Sequence, residues 1–229
     1  MLDLMTKPAS EAASEGPFIA RPGALTEIAG GALDGAAVAL ALLSMGPGTV
    51  VWVQDRLSRL ERGRPFPPGM ARLLGAAPDM ILIETRKPAD ALWAMEEALG
   101  CARVKAVVGE IHGAPKALSF TATKRLSLRA AVSGARAILI RSEASGLSVA
   151  ERWTTASRPS PPHPDDPSAP GAPRWDLKLV RPKGRAPGHW MGSHDEGTPT
   201  RETHRLDLVS LLSPGAVVEH PPRDRLAAL

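Results

Sequence analysis

The sequence has a single cysteine, Cys101, among its 229 residues. One cysteine excludes a framework of internal disulfide bonds and is typical of proteins in the reducing cytosol. The sequence also has no apolar run long enough to cross a bilayer, and its first residues lack the basic-then-apolar pattern of a secretion signal. We therefore expect a cytoplasmic chain that has no membrane partner.

Several motifs of catalysis and cofactor binding are also missing. The chain has no G-x-G-x-x-G fingerprint, no serine in a nucleophile-elbow context, and no histidine close to Cys101 in sequence. Potential metal ligands occur near the C-terminus, but their spacing matches no zinc pattern and no cysteine pair accompanies them. These ligands are His189, His194, Asp195, Glu196 and His204. We expect no bound metal.

The overall composition is typical of a globular protein, and the chain is long enough for one α/β domain. Hydrophobic residues make up 43% of the chain, and the net charge of +4 allows contact with nucleic acid or an acidic protein without requiring it. The 23 prolines concentrate in the last third, so order should decline toward the C-terminus. We predict a flexible N-terminal segment over residues 1–17, a domain over 18–192 with a proline-rich spacer at 157–173, and a largely disordered tail over 193–229.

The stretch from Leu25 to Asp55 predicts a strand, a glycine-bearing turn, an apolar helix and a second strand. Glycines at the start of a helix that follows a strand are where P-loop proteins hold nucleotide phosphates. We call this turn and helix start the degenerate loop. It comprises Gly30, Gly31, Asp34, Gly35, Ala36 and Ala37.

The degenerate loop lacks the side chains that a working P-loop needs. Ala36 and Ala37 stand where a lysine would reach the phosphates and a serine or threonine would hold magnesium. Asp34 would also place a negative charge toward a triphosphate. We therefore expect no cofactor and no ATP hydrolysis. An alternative is that the glycines only allow tight packing of helix on strand, which makes the same prediction about catalysis.

The rest of the first two thirds alternates strands with helices, which predicts parallel βαβ units with right-handed crossovers. Asp55 and Glu110 end two of these strands, where α/β sites gather, but without the loop lysine we interpret them as structural. Glu96 and its neighbour on the same helix are expected to form a solvated rim. The segments around Trp153 and Trp175 predict two strands that pair and extend the sheet at its edge.

Three groups of residues are candidates for contact with DNA or a protein partner. A short polar helix carries three arginines, a later helix carries a basic arc, and an apolar run lies within the polar C-terminal region. For both basic groups a solvated face is the commoner explanation, and the apolar run predicts either a docking segment or a strand or helix that returns to the core. The residues are Arg56, Arg59 and Arg62; Lys124, Arg125 and Arg129; and Leu206, Leu208, Leu211 and Leu212.

Taken together, several stretches resemble the ImuA family, the RecA-like proteins of bacterial damage-inducible mutagenesis cassettes. They are residues 21–27 (RPGALTE), 51–55 (VWVQD), 90–99 (DALWAMEEAL), 106–110 (AVVGE), 121–128 (TATKRLSL) and 171–175 (GAPRW). The resemblance implies a RecA-like α/β fold, with a parallel-core sheet, helices on both of its faces and antiparallel strands at its C-terminal edge.

The resemblance also implies partners in translesion synthesis. These are a Y-family polymerase-like protein of the ImuB type and an error-prone replicative-type polymerase, with RecA and DNA as further candidates. Because of Ala36 and Ala37, we interpret the chain as a non-catalytic adaptor. Two alternatives remain open: a DNA-stimulated ATPase that borrows a cation such as Arg56 or Lys124, and a cell-division inhibitor of the SulA type.

Overall fold

The structure is a computed structural model that describes residues 20–31, 34–143, 146–184, 186–194 and 206–211. In these residues strands and helices alternate up to the fifth strand, after which strands follow one another. The strands are β1 (Leu25–Gly30), β2 (Thr49–Asp55), β3 (Met80–Thr85), β4 (Val104–Glu110), β5 (Arg136–Arg141), β6 (Glu151–Arg158), β7 (Arg174–Arg181), β8 (Gly188–His194) and β9 (Leu206–Ser210). The helices are α1 (Ala36–Ser44), α2 (Arg56–Arg62), α3 (Pro67–Leu74), α4 (Pro88–Leu99) and α5 (Phe120–Ser133).

The described strands form one mixed sheet in the order β3-β2-β4-β5-β1-β6-β7-β8-β9. All pairs from β3 to β6 are parallel, and β6 to β9 pair antiparallel. The predicted parallel core with antiparallel strands at its C-terminal side is therefore confirmed. The Trp153 and Trp175 segments pair as predicted, but β8 and β9 continue the sheet beyond them.

Helices cover both faces of the sheet, as predicted. One core contains α1 residues such as Leu40 with Trp52 and Trp153, while the other joins α4 and α5 to the opposite face through Met95 and Leu126. The central parallel strands are buried on both faces, which is why they are nearly continuous apolar runs in the sequence. In the part of the chain that the structure describes, no helix is both long and apolar enough to cross a membrane.

The described part of the C-terminal third is more regular than its proline content suggests. Strand β6 continues through Ser157 and Arg158, so the first two residues of the proposed spacer lie in the sheet. Within that spacer the Gly171 amide donates to the Pro161 carbonyl at 2.7 Å. The apolar run forms β9 against β8, which is the returning strand of the sequence interpretation. The segment 1–17, most of the proposed tail and Leu212 lie outside the described residues.

Glu96 corrects one expectation about α4. It is buried rather than part of a solvated rim, at 8% exposure. Arg125 on α5 donates to its carboxylate, with Nη2 at 2.6 Å and Nε at 2.8 Å. The prediction was wrong because α5 packs beside α4 and covers this side chain, an arrangement that no local sequence pattern reveals.

Candidate functional site

The degenerate loop lies at the carboxyl end of β1, in the middle of the sheet. A Cβ atom at Gly30 would lie 3.2 Å from Cβ of Ala37 and 3.3 Å from Cγ2 of Thr155. Glycine at this position therefore lets α1 approach the sheet closely, as the packing alternative proposed. Ala36 and Ala37 are completely buried in the core between α1 and the sheet.

A carboxylate of the chain itself sits at the N-terminus of α1. Oδ1 of Asp34 accepts from the Ala36 amide at 2.8 Å and from Oγ of Ser157 at 2.5 Å. Oδ2 of Asp34 accepts from the Ser157 amide at 2.7 Å. The first amides of a helix lack partners within the helix and attract anions. Asp34 thus uses a donor that a phosphate would need, and it joins α1 to β6.

The hydrogen bonds around Asp34 favour its ionised form. Burial works to raise the pKa of Asp34, but the bonds from Ser157 and Ala36, together with the positive charge of Arg62, outweigh burial and lower the pKa below its ordinary value. The site therefore holds a fixed negative charge at neutral pH. A second anion at the same helix terminus would meet repulsion from this charge.

Arg62 on α2 binds two backbone carbonyls of the degenerate loop. Its Nη1 donates to the Asp34 carbonyl at 2.9 Å and its Nη2 to the Gly31 carbonyl at 2.8 Å. The position of α2 depends in turn on Asp55, whose carboxylate caps the helix by accepting from the Ser58 amide at 3.0 Å. Asp55 is therefore a helix cap, in agreement with its structural interpretation.

Glu110, at the end of β4, belongs to a buried chain of polar side chains. Its Oε2 accepts from Nε2 of Gln54 at 2.7 Å, and its Oε1 lies 3.0 Å from Nε2 of His112. Gln54 and Glu110 are opposite each other in the pairing of β2 with β4. The amide of His112 also donates to Oγ of Ser58 at 3.0 Å. This chain therefore links the carboxyl ends of β2 and β4 to α2.

Sequence reasoning missed Gln54, His112 and Ser157 as members of this site. The alternation of β2 could have placed Gln54 on the same face as Trp52, and His112 follows Glu110 by two residues, as expected for side chains on one face of an extended segment. No local sequence pattern around Ser157 predicted that it would bond Asp34. Its contact with Asp34 depends on how far β6 extends beside β1.

The structure does not bring the two basic groups together. Arg56, Arg59 and Arg62 lie on α2, whereas Lys124, Arg125 and Arg129 lie on α5. Arg59 lies 3.5 Å from Glu84, Arg62 binds the loop carbonyls, and Arg125 binds Glu96. Lys124 and Arg129 are exposed on α5 and form no ion pair with any residue that the structure describes. Leu206 and Leu208 lie on β9, and Leu211 follows that strand, 46% exposed.

The candidate metal ligands are only partly within the described residues. His189 and His194 lie on β8, and Nε2 of His189 is hydrogen-bonded to Oδ1 of Asp176. Asp195, Glu196 and His204 lie outside. Among the described residues, no three histidine, cysteine, aspartate or glutamate side chains are grouped as metal ligands would be.

Comparison with known proteins gives the family. Two relatives, both named Protein ImuA and both from Caulobacter vibrioides, strains NA1000 / CB15N and ATCC 19089 / CIP 103742 / CB 15, are each 31% identical to this chain over 178 residues. The alignment covers 72% of this chain and 68% of each relative. The chain belongs to the ImuA family. No model of a protein family matches it. Membership in the ImuA family confirms the resemblance drawn from the sequence stretches.

Proposed function

We propose that this ImuA-family chain is a non-catalytic adaptor on a RecA-type scaffold, acting in damage-induced translesion DNA synthesis. Its main partner is a Y-family polymerase-like protein of the ImuB type, and an error-prone replicative-type polymerase joins the assembly. Family membership supports this setting. The parallel core of the sheet, with a glycine turn after the central strand β1, supports the scaffold.

The observation that carries the non-catalytic role is the bonding of Asp34. A triphosphate at the N-terminus of α1 would have to displace a carboxylate that three hydrogen bonds hold in place. Neither Ala36 nor Ala37 offers a charge or a hydroxyl in return. The loss of existing bonds and the lack of new ones both oppose nucleotide binding there.

The other carboxylates near the loop already have structural roles. Asp55 caps α2, and Glu110 is bonded to Gln54 and His112. Glu110 is also 2% exposed, so a metal ion with its water shell would have to open the buried polar chain before reaching it. These contacts support a scaffold in which the carboxylates at the ends of β2 and β4 hold the fold together.

A phosphate-release assay with Mg²⁺ and ATP, with and without single-stranded DNA, tests the non-catalytic role. We expect no turnover above a blank in either condition. The sharper comparison uses Asp34→Ala, which frees the helix N-terminus but supplies no lysine, and should remain inactive. DNA-stimulated turnover in the wild type that Glu110→Gln abolishes would instead establish the ATPase alternative.

A pull-down of the polymerase-like partner tests the adaptor role. Lys124 and Arg129 on α5 are exposed cations without ion pairs to described residues, so we expect Lys124→Glu with Arg129→Glu to weaken capture of the partner by about tenfold or more. Arg86→Glu with Lys87→Glu makes the same charge change at two exposed cations just before α4 and serves as the matched control. Equal loss from both variants would indicate a general charge effect, and undiminished binding by the α5 variant would remove α5 from the interface.

A further inference from the structure

The exposed side of α5 carries a row of apolar side chains that includes one cation. Phe120, Leu128 and Val132 are each more than half exposed, and Lys124 lies among them. The four residues follow one another at intervals of four positions, so their side chains lie one above the other along the helix. We call these four residues the α5 row. None of the 14 residues of α5 is aspartate or glutamate, so the row has no carboxylate of its own helix beside it.

The fold does not account for the α5 row. The buried side of the helix includes Ala122, Leu126 and Ala130, which pack into the core shared with α4. Lys124 lies outside the last turn, where a cation favours the helix dipole, and α5 offers it no acidic neighbour. Valine is a weaker helix former than alanine, yet Val132 stands in the last turn with its side chain exposed. A group of exposed apolar side chains on one face is typical of an interaction site.

Two arginines border the α5 row on the side that faces α4. Arg125 donates from Nη2 to the Glu96 carboxylate at 2.6 Å. Nη1 of Arg129 lies 3.8 Å from the position that a Cβ atom at Gly100 would take, beside the end of α4. The charge of Arg125 is thus balanced by Glu96, whereas Lys124 and Arg129 form no ion pair with any residue that the structure describes. The row and its border therefore present apolar groups together with two unbalanced positive charges.

We infer that the α5 row binds an acidic amphipathic helix of the polymerase-like partner, with apolar side chains on the row and carboxylates at Lys124 and Arg129. The inference rests on the proposed adaptor role and specifies the chemistry of the contact. Apolar side chains on both helices exclude water from between them, and opposite charges at the border of the row fix their orientation. The 14 residues of α5 are about 21 Å long, so about four turns of a partner helix can lie along them.

Two other occupants fit the α5 row less well. Single-stranded DNA would bring phosphates to the cations, but it would also place them against Leu128 and Val132, and within the row only Phe120 can stack on a base. A second copy of this chain, docked about a two-fold axis through α5, would set Lys124 and Arg129 against the same two cations. An acidic protein segment complements both the charges and the apolar groups.

Calorimetric titration of the purified polymerase-like partner into the full chain, at about 50 and about 300 mM NaCl, tests the inference. Two double variants separate the charged contribution from the apolar one. Lys124→Gln with Arg129→Gln should weaken binding about tenfold at the lower salt concentration and remove most of the salt dependence that the wild type shows. Leu128→Ala with Val132→Ala should weaken binding about tenfold at both salt concentrations and keep that salt dependence.

Each double variant has a matched control outside α5. Arg86→Gln with Lys87→Gln removes two exposed charges just before α4, and Leu57→Ala with Leu60→Ala removes two exposed apolar side chains from α2. Both controls should bind the partner as the wild type does. Circular dichroism checks that all four variants are folded.

Cross-linking with a carbodiimide, which joins an amine to a carboxylate in contact with it, identifies the acidic segment. Mass spectrometry of the treated complex should find Lys124 linked to an aspartate or glutamate of the partner that has apolar residues three or four positions away. Lys124→Arg keeps the positive charge and removes the amine, so this variant should keep the affinity and lose the cross-link.

Three results would overturn the inference while the adaptor role stands, because the wild type still binds the partner in each. They are wild-type affinity in Leu128→Ala with Val132→Ala, the absence of any link from Lys124 to the partner, and displacement of the partner by a single-stranded oligonucleotide of about 12 residues. Full salt dependence in Lys124→Gln with Arg129→Gln would count against it in the same way. A wild type that does not bind the partner overturns the adaptor role and this inference with it.

Discussion

Two regions of the molecule differ in the contacts of their charged and polar side chains. In and near the degenerate loop, the side chains of Asp34, Arg62 and Glu110 all form hydrogen bonds with other residues of the chain. On α4 and α5, by contrast, several side chains are exposed, and we call these residues together the outer surface. It comprises Trp93, Lys124, Leu128, Arg129 and Val132.

The outer surface combines exposed apolar groups with cations. Trp93 is 63% exposed, Leu128 55% and Val132 89%. Tryptophan and arginine are the residues that most often dominate protein interfaces, whereas an isolated exposed leucine or valine needs no explanation. The comparison indicates that the polar groups of the loop stabilise the fold, while those of the outer surface remain available for contact. Substitutions in the two regions should therefore have different effects.

The largest effect on stability is expected at Glu110. Glu110→Ala leaves the buried ring of His112 without its partner and removes one of the two acceptors of the Gln54 amide nitrogen, which also donates to the Gly63 carbonyl. The free energy of unfolding should therefore fall by about 3 kcal/mol. Urea denaturation followed by circular dichroism measures this change. Glu97→Ala, which removes an exposed carboxylate from α4, is the matched control and should change the same quantity by less than about 0.5 kcal/mol. A loss below about 1 kcal/mol for Glu110→Ala would show that the buried chain is not stabilising.

Asp34→Ala should have a smaller effect that depends on pH. The variant removes the bonds from Ala36 and Ser157, and the expected loss at neutral pH is about 1 kcal/mol, similar to the loss of a side chain that bonds the first amides of a helix. The pKa of Asp34 is lowered in the folded state, so its stabilisation is present above the pKa of the unfolded chain and disappears as the pH falls through the folded value. The difference between the wild type and the variant should therefore begin to shrink below about pH 4 and disappear only below the pKa of Asp34 in the folded state.

Urea midpoints measured from pH 7 down to pH 3 check this prediction. Asp165→Ala is a control for general loss of acid charge, because Asp165 is exposed and its carboxylate has no hydrogen bond to any residue that the structure describes. A difference between Asp34→Ala and the wild type that stays constant across this range would mean that the ionised carboxylate is not what stabilises α1. A double-mutant cycle with Ser157→Ala then isolates the bond between the two side chains.

Much of the fold could be predicted because its signals are local. The alternating strands and helices and the pairing of the Trp153 and Trp175 segments both follow from short stretches of sequence. The site depends on distant contacts instead. Asp34 and Ser157 are 123 residues apart, and their bond requires β6 to lie beside β1 and to extend past it.

The burial of Glu96 and the bond between Gln54 and Glu110 likewise could not be predicted from local sequence. Each depends on which element becomes a neighbour: α5 beside α4 in the first case, and β4 beside β2 in the second. Sequence patterns give the exposed face of an isolated helix, but they do not say which faces another element later covers. The sequence therefore identified Asp34, Asp55 and Glu110, but it did not reveal their partners Gln54, His112 and Ser157.

The smallest effect on stability is expected on the outer surface, where Trp93→Ala with Val132→Ala should change the free energy of unfolding by less than about 0.5 kcal/mol. Both side chains are mostly exposed, so their removal creates no cavity in the core. The same variant should weaken capture of the polymerase-like partner, since aromatic side chains at the centre of an interface can contribute about 2 kcal/mol or more to binding. Urea denaturation and the pull-down are measured on the same preparation. A variant that unfolds more easily and still binds its partner would place Trp93 with the stabilising residues of the loop and end the distinction between the two regions.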